Sequence, residues 1–246
     1  MATNKTQAKS GNVVVGKTGG KAAVRSSSKD VAAFLKAAKS TNPAGTGRLV
    51  FSLDATMSRQ PTWDRACQIQ ASMFEAVSKI GGLSVQLVYF RGFGECKASR
   101  WVVNSSALAD LMCTIDCRGG QTQIIKVLNH ASKENEREKI SALVYIGDAM
   151  EEDADRICHL AGQLGLKGVR AFMFQEGHDP LAESTFRQVA KLTGGAYFRL
   201  GPNSARELAE LLGAIAVYAS AGRKALESSS KRGARLLLGQ VPGSGS

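Results

Sequence analysis

The chain has 246 residues, 43% of them apolar, which is enough to bury one sizeable core with extensions; runs such as LVYIG and AFMF stop far short of the ~20 residues of a bilayer span, so a soluble protein is expected. Its net charge of +11 divides into +7 over residues 1–47, +4 over residues 219–246 and a neutral middle, and basic tails without Trp or Tyr attract any polyanion but lack the stacking surface of specific nucleic-acid recognition. The five cysteines are odd in number and form no CxxC pair, which argues against a secreted disulfide framework and fits reduced thiols in a cytoplasm.

Residues 1–28 are rich in Lys, Ser, Thr and Gly, the composition of a disordered basic arm. They hold no continuous apolar segment of signal-peptide length, so export is not expected. Gly11 to Thr18 (GNVVVGKT) fits the phosphate-binding pattern G-x-x-x-x-G-K-[ST], but such a loop must leave a buried strand and enter a helix, and neither flank reads that way. Residues 29–46 hold a short helix and a linker: Ser27 and Asp30 form an S-x-x-D capping box, Val31, Phe34, Leu35 and Ala38 recur at helical spacing, and TNPAGTG ends the run.

From residue 47 the pattern alternates. RLVFSLD reads as a strand, Pro61 to about Ile80 as a helix and LSVQLVYFRG as a second strand, with ASRWVV as a plausible edge strand. A helix from Ser105 to about Ile115 leads to the turn RGGQT, where a further helix begins. SALVYIG then reads as a buried strand, Asp153 to Leu164 as a helix, VRAFMFQ as a strand, Leu181 to Leu192 as a helix, AYFRL as the last strand and Ser204 to about Leu226 as the closing helix. Strands alternating with helices at this spacing predict an α/β, doubly wound, mostly parallel sheet with helices on both faces. One domain is expected over 47–226, followed by a flexible basic tail over 227–246, polar and Gly-rich apart from RLLL.

In open parallel sheets, ligands bind beyond the carboxyl ends of the strands. The first strand runs into D-x-T-x-S, which places Asp54, Thr56 and Ser58 on one loop; SALVYIG runs into Asp148; and RGGQT places Thr122 behind two glycines at a helix start. Two carboxylates and three hydroxyls make an all-oxygen set for a hard cation such as Mg2+, with Mn2+ sharing the octahedral oxygen preference; neither sulfur nor imidazole is required. His130, His159 and His178 are dispersed and stand at no zinc or triad spacing. Cys113 and Cys117, one helical turn apart, are read as packing residues.

D-x-T-x-S, the Thr of GGQT and the Asp after the next central strand resemble the metal-ion-dependent adhesion site of von Willebrand factor A (VWA) domains, over roughly Gly47 to Ala219. The resemblance implies the Rossmann-like VWA fold with one antiparallel edge strand. It also implies that Thr56, Ser58 and Thr122 ligate Mg2+ directly, that Asp54 and Asp148 act mostly through waters, and that an open position takes a carboxylate from a partner protein. A bacterial cytoplasmic type of this family implies partners such as an AAA+ ATPase or a stress-response component.

Two departures stand out. Thr56 replaces the commoner Ser and keeps its hydroxyl. AMEED after Asp148 replaces a small Gly-containing turn, and its acids Glu151, Glu152, Asp153 and Asp155 either disfavour an acidic partner or begin a helix, where acids suit the dipole; the helix reading is preferred. Arg59 and Trp63 lie just beyond the metal loop and are read either as the edge of a partner surface or, for Trp63, as a cap of the first helix against the core.

No general base, nucleophile or oxyanion donor set is evident, so a binding role is expected rather than catalysis. The competing readings are a hydrolytic or nucleotide-binding enzyme using Gly11–Thr18, and a polyanion-binding scaffold using the tails.

Overall fold

The computed structural model describes residues 47–59, 83–103, 108, 110–112, 114–201 and 205–242. The basic arm, the capping box at Ser27, the Gly11–Thr18 segment, the Pro61–Ile80 helix and Trp63 lie outside the described residues.

Six strands form one sheet in the order β3-β2-β1-β4-β5-β6. They are β1 (Gly47–Asp54), β2 (Leu83–Arg91), β3 (Glu95–Ala98), β4 (Ala142–Gly147), β5 (Arg170–Glu176) and β6 (Ala196–Leu200). β2, β1, β4, β5 and β6 run parallel, and β3 is the antiparallel edge. The central strands are apolar on both faces because helices cover both. Leu49, Phe51 and Leu53 of β1 enter one core, and Val50 enters the other.

The helices are α1 (Ile124–Arg137), α2 (Ala154–Leu166), α3 (Pro180–Thr193), α4 (Ala205–Glu227) and α5 (Arg232–Leu238). α1 buries Ile124, Val127, Leu128 and Ala131, a helical stripe, against the Val50 face. α2 starts where the Asp153 carboxylate accepts from Arg156 N at 2.7 Å, and α3 where Asp179 accepts from Ala182 N at 2.6 Å with Pro180 in its first turn. α4, kinked at Gly222, lays Leu208, Leu211, Leu212 and Ile215 on the opposite face. Residues 108 and 110–112 are helical and add Leu108, Leu111 and Met112 to that core.

The edge strand falls earlier than the sequence pattern suggests. β3 is ECKA rather than ASRWVV, because Gly92 and Gly94, both at positive φ (62° and 133°), turn the chain back directly after β2. The ladder continues beyond β3 through Ser99 N to Leu87 O (2.8 Å) and the Val85–Val102 bridge. Val88 pairs Ala98 while Val85 pairs Val102, so one extra residue bulges between them.

The C-terminal stretch also differs from its compositional reading as a flexible tail. α5 packs on α4, with Ala234, Leu237 and Val241 buried in the same core as β1. RLLL is short but supplies the apolar side that this docking needs. Among the described residues no helix is long and apolar enough to cross a membrane.

Candidate metal centre

The carboxyl ends of β1 and β4 lie side by side at the point where the strand order reverses, the place in a doubly wound sheet where neighbouring crossovers diverge and leave a crevice. β1 delivers Asp54 there, fully buried. The chain then turns: Thr56 N donates to Asp54 Oδ1 at 2.8 Å, an Asx-type turn, and Ala55 N donates to Phe90 O at 2.9 Å. A single 3-10 turn, Met57–Arg59, follows. It holds Thr56 Oγ1 and Ser58 Oγ 3.1 Å apart, Thr56 buried and Ser58 facing solvent.

The loop before α1 is tied to this turn by its backbone. Arg118 N donates to Ala55 O at 3.0 Å, and Thr56 bridges Arg118 as a parallel partner. Gly120 then passes so close to the β2–β3 turn that a Cβ on it would lie 2.2 Å from Gly92 O, which only glycine allows. Thr122 follows, buried.

Asp54 Oδ2 and Asp148 Oδ1 are buried with no hydrogen-bond partner among the described residues. Burial pushes the Asp54 carboxyl up to about 6; the hydrogen bonds from Thr56 oppose this, the Asp148 charge adds to it and Arg59 offsets part of it. Buried carboxylate oxygens without donors are costly unless a positive charge meets them. Neighbouring ligands of an octahedral ion with bonds of 2.0–2.1 Å stand about 2.8–3.0 Å apart, close to the spacing of the Thr56 and Ser58 hydroxyls. The donor set therefore fits Mg2+ or Mn2+. Among the described residues no three His, Cys, Asp or Glu side chains gather around one point.

Arg59 is placed differently from a surface reading. It is 1% exposed, donates to Glu176 Oε1 at 2.9 Å and reaches Ile146 O at 3.2 Å. A guanidinium with that reach is drawn under the loop because Glu176, at the end of β5, supplies the countercharge.

The acids of AMEED divide. Asp153 and Asp155 begin α2, as the dipole argument predicts. Glu151 and Glu152 precede the cap and turn to the other helix. Glu151 Oε2 accepts from Thr122 N (3.0 Å) and Thr122 Oγ1 (2.8 Å). Glu152 accepts from the free N–H groups of Ile124 and Ile125 at the start of α1. Sequence reasoning placed these acids near the site but missed both contacts.

It also missed Phe93, 86% exposed at the tip of the β2–β3 turn. Beside it lies a groove of about 480 Å³ whose lining includes Phe93, Thr122, Ile125, Lys126, Glu152 and Arg156. The signal was present as an aromatic residue between two turn glycines, RGFGE.

No family model matches the chain, and no curated protein matches it in sequence. Solved structures share its fold. A von Willebrand factor type A protein from Catenulispora acidiphila superposes with a TM-score of 0.58 at 14% identity, over 72% of this chain and 43% of that one. The vWF domain of the type V pili tip protein Mfa5 from Porphyromonas gingivalis gives 0.58 at 9% identity, over 72% and 97%. The manganese-loaded TRAP protein of Plasmodium vivax gives 0.52 at 17% identity, over 67% and 72%. The chain thus spans less than half the length of the Catenulispora protein. The fold is that of VWA domains, as the motif resemblance implies.

Proposed function

We propose that this chain is a metal-dependent protein-recognition module, a cytoplasmic VWA adaptor in which Mg2+ or Mn2+ bridges the loop hydroxyls to a carboxylate on a partner protein. One observation carries the reading. Among the described residues Asp54 Oδ2 and Asp148 Oδ1 are buried without donors, and Asp54 adjoins two hydroxyls already set 3.1 Å apart, an arrangement a divalent cation would stabilise and packing would not.

Thr56, Ser58 and Thr122 would hold the ion directly, and Asp54 and Asp148 would orient its waters. The ion supplies a positive charge with an exchangeable position. The chain's own residues do the rest. Asp54 fixes the loop through Thr56 N, Arg59 clamps it from below, and Gly120 lets Thr122 come close. The groove past Thr122, edged by Phe93 and by the cations Lys126 and Arg156, offers an apolar anchor and positive charge to a segment carrying the acidic residue. That the vivax TRAP protein is manganese-loaded supports metal use on this fold.

Calorimetry with Mg2+ and Mn2+ on the full chain tests the first half of the reading, and partner capture with and without EDTA tests the second. Saturable binding lost in Asp54→Ala, with capture lost in parallel, is expected. Absence of metal binding by the folded protein would overturn the reading.

A further inference from the structure

We infer that the face formed by α5 and the end of α4 is a second binding surface, one that takes the sugar-phosphate backbone of a nucleic-acid duplex without reading its sequence. It acts independently of the metal centre.

The positive charge at the C-terminal end of the chain is carried on packed structure. Gly233 passes so close to α4 that a Cβ on it would lie 2.2 Å from Glu210 O, while Arg223 Nη1 donates to Val241 O at 3.2 Å and to Pro242 O at 2.7 Å. α5 is thereby pinned along α4 at both ends. Ala234, Leu237 and Val241 are buried in the core, which turns Lys231, Arg232 and Arg235 outward, all exposed, as Lys224 is at the end of α4.

Pairing within this face leaves a surplus of positive charge. Residues 205–242 carry six Lys and Arg against three Glu. Arg206 pairs with Glu210 at 3.1 Å and Arg223 with Glu227 at 2.7 Å, and Arg232 stands 4.0 Å from the same Glu210. Lys224, Lys231 and Arg235 enter no ion pair among the described residues, so the face keeps a positive potential. The start of the domain adds to it. Gly47, through which the net +7 of residues 1–47 joins the fold, lies against α4, where a Cβ on it would stand 1.9 Å from Ala219 O and 2.7 Å from Ser220 Cα. Both basic ends of the chain therefore join the domain on one helix, and the eight residues of β1 hold Gly47 about 23 Å from Asp54 at ~3.3 Å per residue.

The chemistry of the face selects its partner. Tyr218 is the one aromatic residue of 205–242, and its ring meets Phe172 edge-on at 5.9 Å and Arg170 at 5.6 Å. No ring is left to stack on unpaired bases, which excludes the single-strand mode. The apolar side of α5 is already in the core, so the helix has nothing to bury in a bilayer. Phosphates spaced along a duplex, about one charge per 1.7 Å of axis, are met by outward cations alone and carry no sequence information.

The test uses the full chain in EDTA with a fluorescent duplex DNA of mixed sequence, reading anisotropy over roughly 50–200 mM salt. The combined variant Lys224→Ala, Lys231→Ala, Arg235→Ala should bind about tenfold or more weakly, and its plot of log affinity against log salt should be shallower by about 2–3, because each lost phosphate contact removes about 0.9. Lys133→Ala, Lys139→Ala, Lys191→Ala removes the same charge from exposed positions on the side of the sheet that carries α1 and α3, and should leave the slope unchanged. Lys231→Gln alone should lower the slope by about 1, which keeps the test decisive if the triple variant folds poorly. Mn2+ should alter none of these values. Equal losses in the two triple variants, or no loss in either, would overturn the inference. Binding to phosphatidylserine vesicles with none to duplex DNA would overturn it too, and would assign the face to a membrane surface.

Discussion

Arg59 and Glu176 form an ion pair at 2.9 Å between the loop after β1 and the end of β5, with the Arg59 side chain fully removed from solvent. The pair lies beneath the candidate metal centre and joins strands that do not neighbour one another in the sheet. Removing the guanidinium takes its countercharge from Glu176 Oε1 and a donor from the Ile146 carbonyl, a loss of about 3–5 kcal/mol for a buried pair; because Glu176 is 20% exposed, the lower end is expected. Arg59→Ala should move the urea midpoint down accordingly with an unchanged slope. A midpoint within error of the wild type would mean that the loop is held by other contacts.

Asp54 contributes one component of the pH response of the metal-free protein, opposite in sign to that of Glu95. A carboxyl whose folded value of about 6 lies above the ordinary 3.8 favours folding in its protonated form; that contribution is complete below about pH 4 and is lost as pH rises through about 6. Asp54→Asn keeps the neutral, hydrogen-bonding side chain at every pH. In EDTA it should therefore gain up to about 3 kcal/mol over the wild type at pH 8 and almost nothing at pH 4. Denaturation at the two values measures the difference. A gain independent of pH would place its cause outside the titration of Asp54.

Gly120 is where the metal loop touches the β2–β3 turn. Gly120→Ala puts a methyl within 2.2 Å of Gly92 O, so one backbone must shift and Thr122 moves with it. The expected result is a loss of about 1–3 kcal/mol together with weaker Mn2+ binding. Gly119→Ala, whose methyl meets nothing, is the matched control. Similar Mn2+ affinity in both variants would show that Thr122 is positioned independently of this contact.

Phe93 packs against little in the folded chain, so Phe93→Ala should change stability by no more than about 0.5 kcal/mol. Mn2+ affinity should also be unaffected. Metal-dependent capture of the partner should weaken by roughly tenfold if the ring is the apolar anchor. Undiminished capture would move the contact surface away from the groove.

The succession of strands and helices along the chain is legible in the sequence for one physical reason: it is written locally. RLVFSLD and SALVYIG are strands buried on both faces, and the candidate residues Asp54 and Asp148 stand at or directly after their ends along the chain. What escapes the sequence depends on partners far away. Arg59 looks like a surface residue until Glu176, on β5, is brought under it. Glu151 reads as part of a helix start, because nothing local shows that Asp153 already caps α2 and that Thr122 lies within reach. α5 reads as tail because RLLL is too short to signal a helix without the α4 face that receives it.

The placement of β1 between β2 and β4 has a consequence on the ribosome. One flank of β1 is covered as soon as β2 emerges, but the other waits for Ala142 to Gly147. At about 5–20 residues per second, that interval lasts on the order of 5–20 s. Throughout it Leu49, Phe51 and Leu53 belong to an incomplete core beside an unpaired backbone edge, the condition that invites misassociation with another nascent chain. Asp54 reaches its buried position only when β4 closes that edge and brings Asp148 beside it. The Asp54–Asp148 pair therefore cannot form before some ninety residues beyond β1 have been made, although α2, β5, α3, β6 and α4 are still to follow.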